Sequence, residues 1–413
     1  MAALPEPIDP PLRANRDFMV VLGGQGASAI GDAVSFTAVP LLVFGLTGSG
    51  LAMGLVGVLQ TLPDFLLGLP VGALADRWDR RRLMLLADTG RALLTACIPL
   101  AYLLGLPVMP VVYLVMFPLN ALRVAFMAAW TASVPVLVGP TRIGAGSSTV
   151  EAVANLGYIV GPALAGVAVG LVGAGPTIAI DALSFAISAA SLTFVRRSLR
   201  STSTLPRRHL AVEMLDGVRF LAAEPTLRVV LAYWGTISLF TAALIPALTI
   251  YVEGELRLGA VVFGLILSGY SVGALIGALA GARLMRGALA PLLVGGAAVT
   301  GALLVLLSRV GLPVVLVGSS FTAGIAQSLV LVSYVTLRAS LTPHELLGRV
   351  GSTARIVSLG LQPVGLLLGG IALQAVGGST TLLAMGVLVV GTAGCFSLSA
   401  SLRGARTRVR QAA

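Results

Sequence analysis

Residues 68–91 read GLPVGALADRWDRRRLMLLADTGR and place a dense group of charges between two long apolar segments. Two aspartates and four arginines fall within the seven residues from Asp76 to Arg82. A charged group this short, between two apolar segments of membrane length, is typical of a cytoplasmic loop that joins two membrane-spanning helices. This stretch therefore predicts that the chain around it is organised by a lipid bilayer.

The composition of the whole chain agrees with this interpretation. Hydrophobic residues make up 57% of the 413 residues and charged residues only 10%, whereas about a quarter of the residues in an average soluble domain are charged. Twelve spans of about 20 residues, joined by short loops, fit a chain of this length. We therefore expect an all-α polytopic membrane protein with twelve transmembrane helices.

Apolar segments of membrane length recur along the chain. We predict spans at 18–45, 51–75, 83–104, 109–136, 147–172, 176–195, 227–252, 259–284, 288–308, 313–338, 350–375 and 379–402. The polar and basic segment 196–225 is predicted to be a cytoplasmic linker, in which residues 210–223 form an amphipathic helix at the membrane surface. Residues 1–17 and 403–413 are predicted to be cytoplasmic segments.

Three short sequence matches divide the chain into two halves. They recur at offsets of 205, 206 and 207 residues and pair Gly72 with Gly277, Pro40 with Pro246, and Arg142 with Arg349. A repeat of about half the chain length is typical of transporters that are built from two similar halves. We predict two pseudo-symmetric six-helix bundles, residues 18–195 and 226–402.

The distribution of arginine predicts the orientation of the chain in the membrane. All 27 basic residues are arginine, and 23 of them lie in the termini, in the loops after even-numbered spans or at the neighbouring span ends. The opposite loops hold only Arg257 and Arg309. The positive-inside rule then predicts that both termini are cytoplasmic. Because the arginines alternate with apolar spans, the net charge of +11 does not indicate a nucleic acid partner.

Several classes of function are disfavoured by residues that the sequence lacks. Without lysine, the chain has neither the phosphate-binding G-x-x-x-x-G-K-[ST] loop of ATP-driven pumps nor a lysine for a Schiff base. Cys97 and Cys395 lie in different predicted spans, and no cluster of metal-ligating residues occurs. We expect no enzymatic activity, no cofactor and no bound metal.

Polar residues form stripes on several predicted spans. In the first span Gln25, Ser28, Asp32 and Ser35 share one helical face. A polar stripe within a membrane faces protein or water rather than lipid. Comparable residues on the fourth, seventh and tenth spans are Asn120, Arg123, Trp234, Ser238, Gln327 and Tyr334.

Acidic residues within the predicted spans are concentrated in the first half of the chain. Asp32 lies midway along span 1, Asp64 lies in span 2 and Asp181 lies near the outer end of span 6. Ser238 occupies the position in the second half that matches Asp32. An acid in a bilayer is costly to retain unless it is paired, hydrated or neutralised. These three acids are therefore candidates for a group that carries a proton.

The charged loop resembles the signature between spans 2 and 3 of the major facilitator superfamily. The matching residues are Gly72, Asp76, Arg77, Arg80 and Arg81. One position departs from the pattern, because an aspartate at position 79 stands where the general signature has glycine.

A second motif lies in the predicted fifth span, which reads GYIVGPALAG from Gly157 to Gly166. With Gly157, Gly161, Pro162 and Gly166, it resembles the G-x-x-x-G-P motif that is characteristic of antiporters in this superfamily. Close packing of two helices along a GxxxG seam explains the same residues equally well.

Further short matches resemble the drug and siderophore exporters of this superfamily, the macrolide-efflux and enterobactin-exporter-like group. They lie at residues 15–18, 31–32, 75–82, 161–166 and 348–350, and the resemblance as a whole covers residues 16–402. It implies a secondary active transporter in the inner membrane of a bacterial cell. Such a protein exports a small amphipathic molecule, drug-like or siderophore-like, in exchange for protons, and we expect it to be a monomer.

The resemblance also implies roles for individual residues in an alternating-access cycle. Spans 1, 4, 7 and 10 would line a substrate cavity, with Asp32 as the proton carrier and Arg123 as its partner. A static structural pair of these two residues is an open alternative, and Asp64 or Asp181 could carry the proton instead. The expected cytoplasmic gate consists of Gly72, Asp76, Arg77, Arg80, Arg81, Asp88 and Arg91.

Other functions on the same fold stay open from the sequence. A lipid flippase would suit the charge-poor second half, and the direction of transport cannot be read from residue types. A membrane sensor that transports nothing would carry a large output domain or a long tail, whereas residues 403–413 form only a short one.

Overall fold

The computed structural model describes residues 11–75, 78–199, 219–284, 289–343 and 346–399. Long helices follow one another through these ranges: α1 (Arg16–Thr47), α2 (Gly50–Ala75), α3 (Arg80–Leu103), α4 (Val108–Val138), α5 (Ile143–Val172), α6 (Ala174–Thr193), α7 (Pro225–Glu255), α8 (Ala260–Leu284), α9 (Leu289–Leu307) and α10 (Pro313–Ser340). A further helical segment, Leu347–Ser397, follows them.

The segment Leu347–Ser397 is two helices joined at Gly377. Its 51 residues would measure about 77 Å as one α-helix, more than twice the roughly 30 Å of a bilayer core. The backbone of Gly377 leaves the helical conformation, with φ 79° and ψ −179°, a region that is almost restricted to glycine. We therefore divide the segment into α11 (347–376) and α12 (378–397).

The membrane fold predicted from the sequence is confirmed. In the part of the chain that the structure describes, eleven helical segments are long and apolar enough to cross a membrane, and the division at Gly377 makes twelve spans. The helices α1–α10 begin and end within four residues of the predicted spans, the largest difference being at the start of α5. Bilayer thickness fixes span length, so long apolar segments are easily recognised in a sequence.

Helix α7 is less regular than the continuous span predicted at 227–252. Its first part, Pro225–Thr241, is followed by a break and by a short helix, Leu244–Thr249. The last part, Ile250–Glu255, is π-helical. Irregular turns of this kind require tertiary contacts to satisfy the backbone, and hydropathy alone does not reveal them.

The chain divides into two compact units. Of the described residues, 11–38 and 66–199 form unit 1, and 39–65 and 219–399 form unit 2. Bundle boundaries at 18–195 and 226–402 stay a prediction. The linker helix predicted at 210–223 lies outside the described residues except for 219–223, which are helical.

Unit 1 has an apolar core near the ends of its helices that adjoin the charged loop. Helices α1, α3, α4 and α6 contribute to it, and the largest fully buried side chains include Phe18, Met84, Phe126 and Leu192. This core fixes the relative positions of α1, α3 and α6, which carry the polar residues described below.

Unit 2 is held together by close helix contacts and buried aromatic rings. A Cβ atom on Gly277 of α8 would lie 2.6 Å from the carbonyl oxygen of Ile325 on α10, so only glycine permits this approach. The hydroxyl of Tyr233 on α7 donates to the carbonyl oxygen of Leu293 on α9 at 3.1 Å. Its ring packs edge-on against Phe396 of α12, with 5.1 Å between centroids.

Candidate functional site

Unit 1 contains a group of charged residues within its membrane-spanning helices. Nη2 of Arg91 on α3 lies 2.6 Å from Oδ1 of Asp32 on α1, and Nη1 of Arg91 lies 3.4 Å from Oδ1 of Asp88 on α3. Asp181 of α6 adjoins α1 directly beside Asp32. We call these four residues, Asp32, Asp88, Arg91 and Asp181, the Arg91 cluster.

The members of the Arg91 cluster differ sharply in exposure. The side chain of Asp32 keeps 36% of its surface accessible, whereas that of Arg91 keeps 4% and that of Asp88 none. Asp181 is also buried. Asp32 is therefore the accessible end of a buried ion-pair network, and Arg91 and Asp88 lie behind it.

Aromatic packing fixes the position of the Arg91 guanidinium. Its central carbon lies 3.8 Å from the ring centroid of Phe185 on α6, a distance at which a guanidinium is attracted to the face of an aromatic ring. Arg91 and Asp88 are three residues apart and so lie on the same side of α3. The helix thus presents both groups to α1 and α6.

Asp181 reaches α1 because residue 31 is glycine. A Cβ atom on Gly31 would lie 2.6 Å from Cβ of Ser184 and 2.7 Å from Oδ1 of Asp181. The hydroxyl of Ser184 donates to the Asp181 backbone carbonyl at 2.8 Å and lies 3.3 Å from Oδ1 of the same residue. Because Gly31 has no side chain, the Asp181 carboxyl can approach α1 immediately beside Asp32.

The sequence analysis paired Asp32 with Arg123, whereas the ion pair that the structure shows for Asp32 is with Arg91. Nε of Arg123 donates to Oδ1 of Asn120 at 3.2 Å, and Nδ2 of Asn120 donates to the Met116 carbonyl at 2.9 Å, all within α4. Both arginines lie deep in their helices, and depth alone gave no reason to prefer Arg91.

Asp88 and Arg91 were grouped with the cytoplasmic gate, and the structure brings Arg91 into contact with both Asp88 and Asp32. Asp88 follows the first residue of α3, Arg80, by eight positions, which corresponds to about 12 Å along the helix axis. Both residues are thus connected to Asp32 by ion pairs, and their part in a cytoplasmic gate stays a prediction.

Two arginines at the start of α3, next to the charged loop, bind this helix to other helices of unit 1. Nη1 of Arg80 donates to the Ala132 carbonyl of α4 at 2.9 Å. Arg81 donates to the carbonyls of Leu192 and Thr193 at the end of α6, at 2.8 and 2.6 Å. The last carbonyls of a helix lack partners within the helix, and a cation there is favourable.

The departure of the loop from the family signature has a local structural reason. Asp79 is the N-cap of α3, and its Oδ1 accepts from the backbone amides of Arg81 and Arg82 at 3.1 and 3.2 Å. A glycine would offer no such acceptor. Gly72 lies in the last turn of α2 that is described, and Asp76 and Arg77 lie outside the described residues.

The motif of α5 packs against α1. A Cβ atom on Gly157 would lie 2.8 Å from the carbonyl carbon of Ala29, and one on Gly161 would lie 2.5 Å from Cβ of Ala33. Pro162 and Gly166 are buried as well. The motif thus packs α5 against α1 at Ala29 and Ala33, which precede and follow Asp32 in the sequence.

The remaining predicted cavity residues are found in both units. In unit 1 Nε2 of Gln25 donates to the Ser188 hydroxyl at 2.9 Å, and Ser28 is buried. In unit 2 the rings of Trp234 and Tyr334 stack with centroids 4.6 Å apart. Asp64, Ser238 and Gln327 are half-buried, and all three belong to unit 2.

The sequence analysis missed the polar face of α6. Asp181, Ser184, Ser188 and Ser191 follow one another at intervals of three and four residues, the same spacing that was recognised in the first span. The partner of Arg91 on this helix, Phe185, carries no polar group and could not have been selected from the pattern.

Two compact units and twelve membrane spans match the architecture of membrane transporters of the major facilitator superfamily. A family model described as transmembrane secretion effector matches residues 10–407. The chain therefore belongs to the transmembrane secretion effector family of that superfamily.

Named relatives are efflux proteins. The chain is 28% identical over 396 residues to the multidrug efflux pump Tap of Mycolicibacterium fortuitum, covering 92% of this chain and 95% of Tap. It is 26% identical over 404 residues to the enterobactin exporter EntS of Citrobacter koseri, covering 92% and 91%. It is 29% identical over 181 residues to macrolide efflux protein A of Streptococcus pyogenes, covering 43% and 44%. These matches confirm the drug and siderophore exporter group.

The fold agrees with that of solved transporters. The nucleoside transporter NupG superposes with a TM-score of 0.77 at 12% identity, covering 92% of this chain and 98% of NupG. At this identity the likeness concerns the fold alone.

Proposed function

We propose that this transporter exports a small amphipathic molecule in exchange for protons, and that Asp32 is the group that takes up the proton. The observation that carries this proposal is the ion pair between the accessible Asp32 and the buried Arg91. Protonation of Asp32 removes its charge and so weakens its attraction to Arg91. Helix α1 is thereby released from α3, which links proton uptake to a change in helix packing.

The balance of charge in the Arg91 cluster supports this role. Three carboxyl groups, on Asp32, Asp88 and Asp181, surround one guanidinium. Charges within a membrane span are tolerated when they are paired, hydrated or neutralised. A proton on one carboxyl group reduces the excess of negative charge, and Asp32 is the most accessible of the three.

Export is favoured over the alternatives by the relatives. Tap, EntS and macrolide efflux protein A are named as efflux proteins or exporters. An importer, a lipid flippase and a sensor have no comparable support. We further propose that the protein lies in the inner bacterial membrane as a monomer, with both termini in the cytoplasm.

A cytoplasmic gate at the charged loop is part of the same proposal. Gly72, Asp76 and Arg77 would form its contact surface. Arg80 and Arg81 hold the start of α3 against α4 and α6, so that this side of the loop moves together with unit 1.

The proposal is tested by transport into proteoliposomes with an imposed pH gradient. The probes are the dye ethidium, a macrolide and a catecholate siderophore. Wild-type protein should concentrate at least one of them against its gradient. Asp32→Asn mimics the protonated form, so it should lose uphill transport and retain downhill exchange of the same probe.

Glu253→Gln is the matched control, because it neutralises a half-buried acid of the other unit that is not among the candidate proton carriers. It should retain uphill transport. Uphill transport by Asp32→Asn would assign the proton to another acid. If no probe is moved by the pH gradient in wild-type protein, proton-coupled export of this class of molecule is wrong.

A further inference from the structure

We propose that Arg91 changes partners during the transport cycle, from Asp32 when that residue is charged to Asp88 when it is protonated. Asp88 is then a holding site for the guanidinium rather than a passive buried acid. This inference rests on the proposed role of Asp32 and adds a second step to it.

Arg91 is shared unequally in the structure. Its Nη2 lies 2.6 Å from Asp32, a short charge-assisted hydrogen bond, whereas its Nη1 lies 3.4 Å from Asp88, at the edge of hydrogen-bonding distance. The guanidinium is thus held by Asp32 and is only loosely in contact with Asp88.

Two complementary polar atoms are left over on the Asp88 side. Nε of Arg91 and Oδ2 of Asp88 are both buried, and neither has a hydrogen-bond partner among the described residues. Unmade hydrogen bonds of buried charged groups are costly. A carboxylate and a guanidinium can form two parallel hydrogen bonds. When Nη2 leaves Asp32 it becomes the second donor beside Nη1, and Oδ2 of Asp88 is the acceptor for it.

The surroundings of Arg91 permit this movement without loss of its aromatic contact. The central guanidinium carbon lies 3.8 Å from the Phe185 ring centroid, well inside the roughly 6 Å over which a cation is attracted to an aromatic ring. Because Asp88 is three residues from Arg91 on the same helix, a small rotation of the Arg91 side chain is enough to change its partner.

Other charged or titratable groups face this region from each neighbouring helix. They are Asp32 on α1, Arg123 on α4, Glu151 and Tyr158 on α5, and Asp181 on α6. Arg91 is in direct contact with Asp32 and Asp88, and of these two acids only Asp88 lies on α3 together with Arg91. It therefore stays beside Arg91 when α1 moves.

The exchange explains how the ion pair can open inside a membrane. A lone arginine is costly there, so protonation of Asp32 without a second acceptor would leave Arg91 unpaired. With Asp88 available, the positive charge stays paired in both states, and only the contact between α1 and α3 is lost.

The test combines transport with a distance measurement in a background without Cys97 and Cys395. Spin labels on the exposed residues Phe36 of α1 and Leu93 of α3, four residues from Asp32 and two from Arg91, report the separation of these helices near the ion pair. In wild-type protein, acidic buffer should shift the distance distribution. Asp32→Asn should show the acidic distribution at every pH, and Asp88→Asn should need more acidic buffer to reach it.

A double-mutant cycle separates the exchange from a simple field effect of Asp88. Asp88→Asn should lower the pH of half-maximal uphill transport. Asp88→Glu keeps a carboxylate at this position and should therefore leave that pH at the wild-type value. If Asp88 acts through Arg91, then Asp88→Asn has no further effect on the distances in an Arg91→Gln background. A shift of the same size in both backgrounds would overturn the exchange.

The proposed function and the exchange fail in different ways. Uphill transport by Asp32→Asn contradicts the role of Asp32. Loss of uphill transport in Asp32→Asn, together with wild-type distances and pH profile in Asp88→Asn, contradicts only the exchange.

Discussion

At the scale of single residues, Gly31 determines how closely α6 approaches α1. A side chain at this position would overlap Cβ of Ser184 and crowd the Asp181 carboxyl. The residue also precedes Asp32, so a displacement of α6 here would disturb both Phe185 and the guanidinium that lies on it. A residue without any polar group thus controls the geometry of the charged residues.

We predict that Gly31→Ala destabilises the protein by about 1–3 kcal/mol, the usual effect of overpacking a tight interface. Thermal unfolding in detergent measures the change. Gly23→Ala on the same helix is the control, because a Cβ atom there meets nothing within 4 Å. Ser184→Gly should rescue part of the loss in Gly31→Ala, since it removes the overlapping Ser184 atoms but leaves the close contact with the Asp181 carboxyl. Equal stability of Gly31→Ala and Gly23→Ala would contradict this packing argument.

At the scale of secondary-structure elements, the corner between α11 and α12 depends on two residues. Gly377 adopts a positive φ of 79°. Oε1 of Glu255, at the end of α7, accepts from the backbone amides of Gly378 and Ser379 at 2.5 and 3.1 Å. A carboxylate at the first amides of a helix satisfies donors that have no partner within the helix. The end of α7 thereby fixes the start of α12.

Replacement of Gly377 by alanine should cost about 1–3 kcal/mol, because this backbone conformation is strained for any residue with a Cβ atom. Gly391→Ala in α12 is the control, since its φ is not positive and its Cβ would meet nothing within 4 Å. Unfolding in denaturant compares the two variants. If both are as stable as wild type, Gly377 is not required for the corner.

At the scale of the whole molecule, the two units differ in chemistry although both are built from membrane-spanning helices. Unit 1 contains the Arg91 cluster, whereas the half-buried Ser238 of unit 2 occupies the position that matches Asp32. This asymmetry is consistent with one unit that carries the proton and a second that mainly contributes substrate contacts. Tyr334 is buried in an apolar core of unit 2, and Trp234 packs against that core with its ring stacked on Tyr334, so a role of these two residues in substrate contacts stays a prediction.

Orientation in the membrane gives a prediction for the complete protein. In a background without native cysteines, Leu106→Cys in the loop between α3 and α4 should react with an impermeant thiol reagent in intact cells. Ser198→Cys, after α6, should react only when the membrane is broken. Both positions are exposed in the structure, so access to the reagent depends on the side of the membrane. The reverse pattern would contradict the placement of the termini in the cytoplasm.

The sequence by itself determined the spans, their number and the polar face of the first span, although the polar face of α6 was missed. These features depend on bilayer thickness and on helical spacing, which act on each segment separately. The small residues of α5 were likewise recognised as a surface for close packing. The break at Gly377 was expected between the last two predicted spans, although its backbone conformation was not.

Only the tertiary structure decided which arginine pairs with Asp32. The sequence analysis paired Asp32 with Arg123 and assigned Arg91 to the gate, because no local pattern specifies how three helices are turned toward one another. That choice depends on the close approach at Gly31 and on the Phe185 ring that supports the guanidinium. An ion pair between helices is a long-range contact, so it is fixed by the packing of the whole unit rather than by the residues that form it.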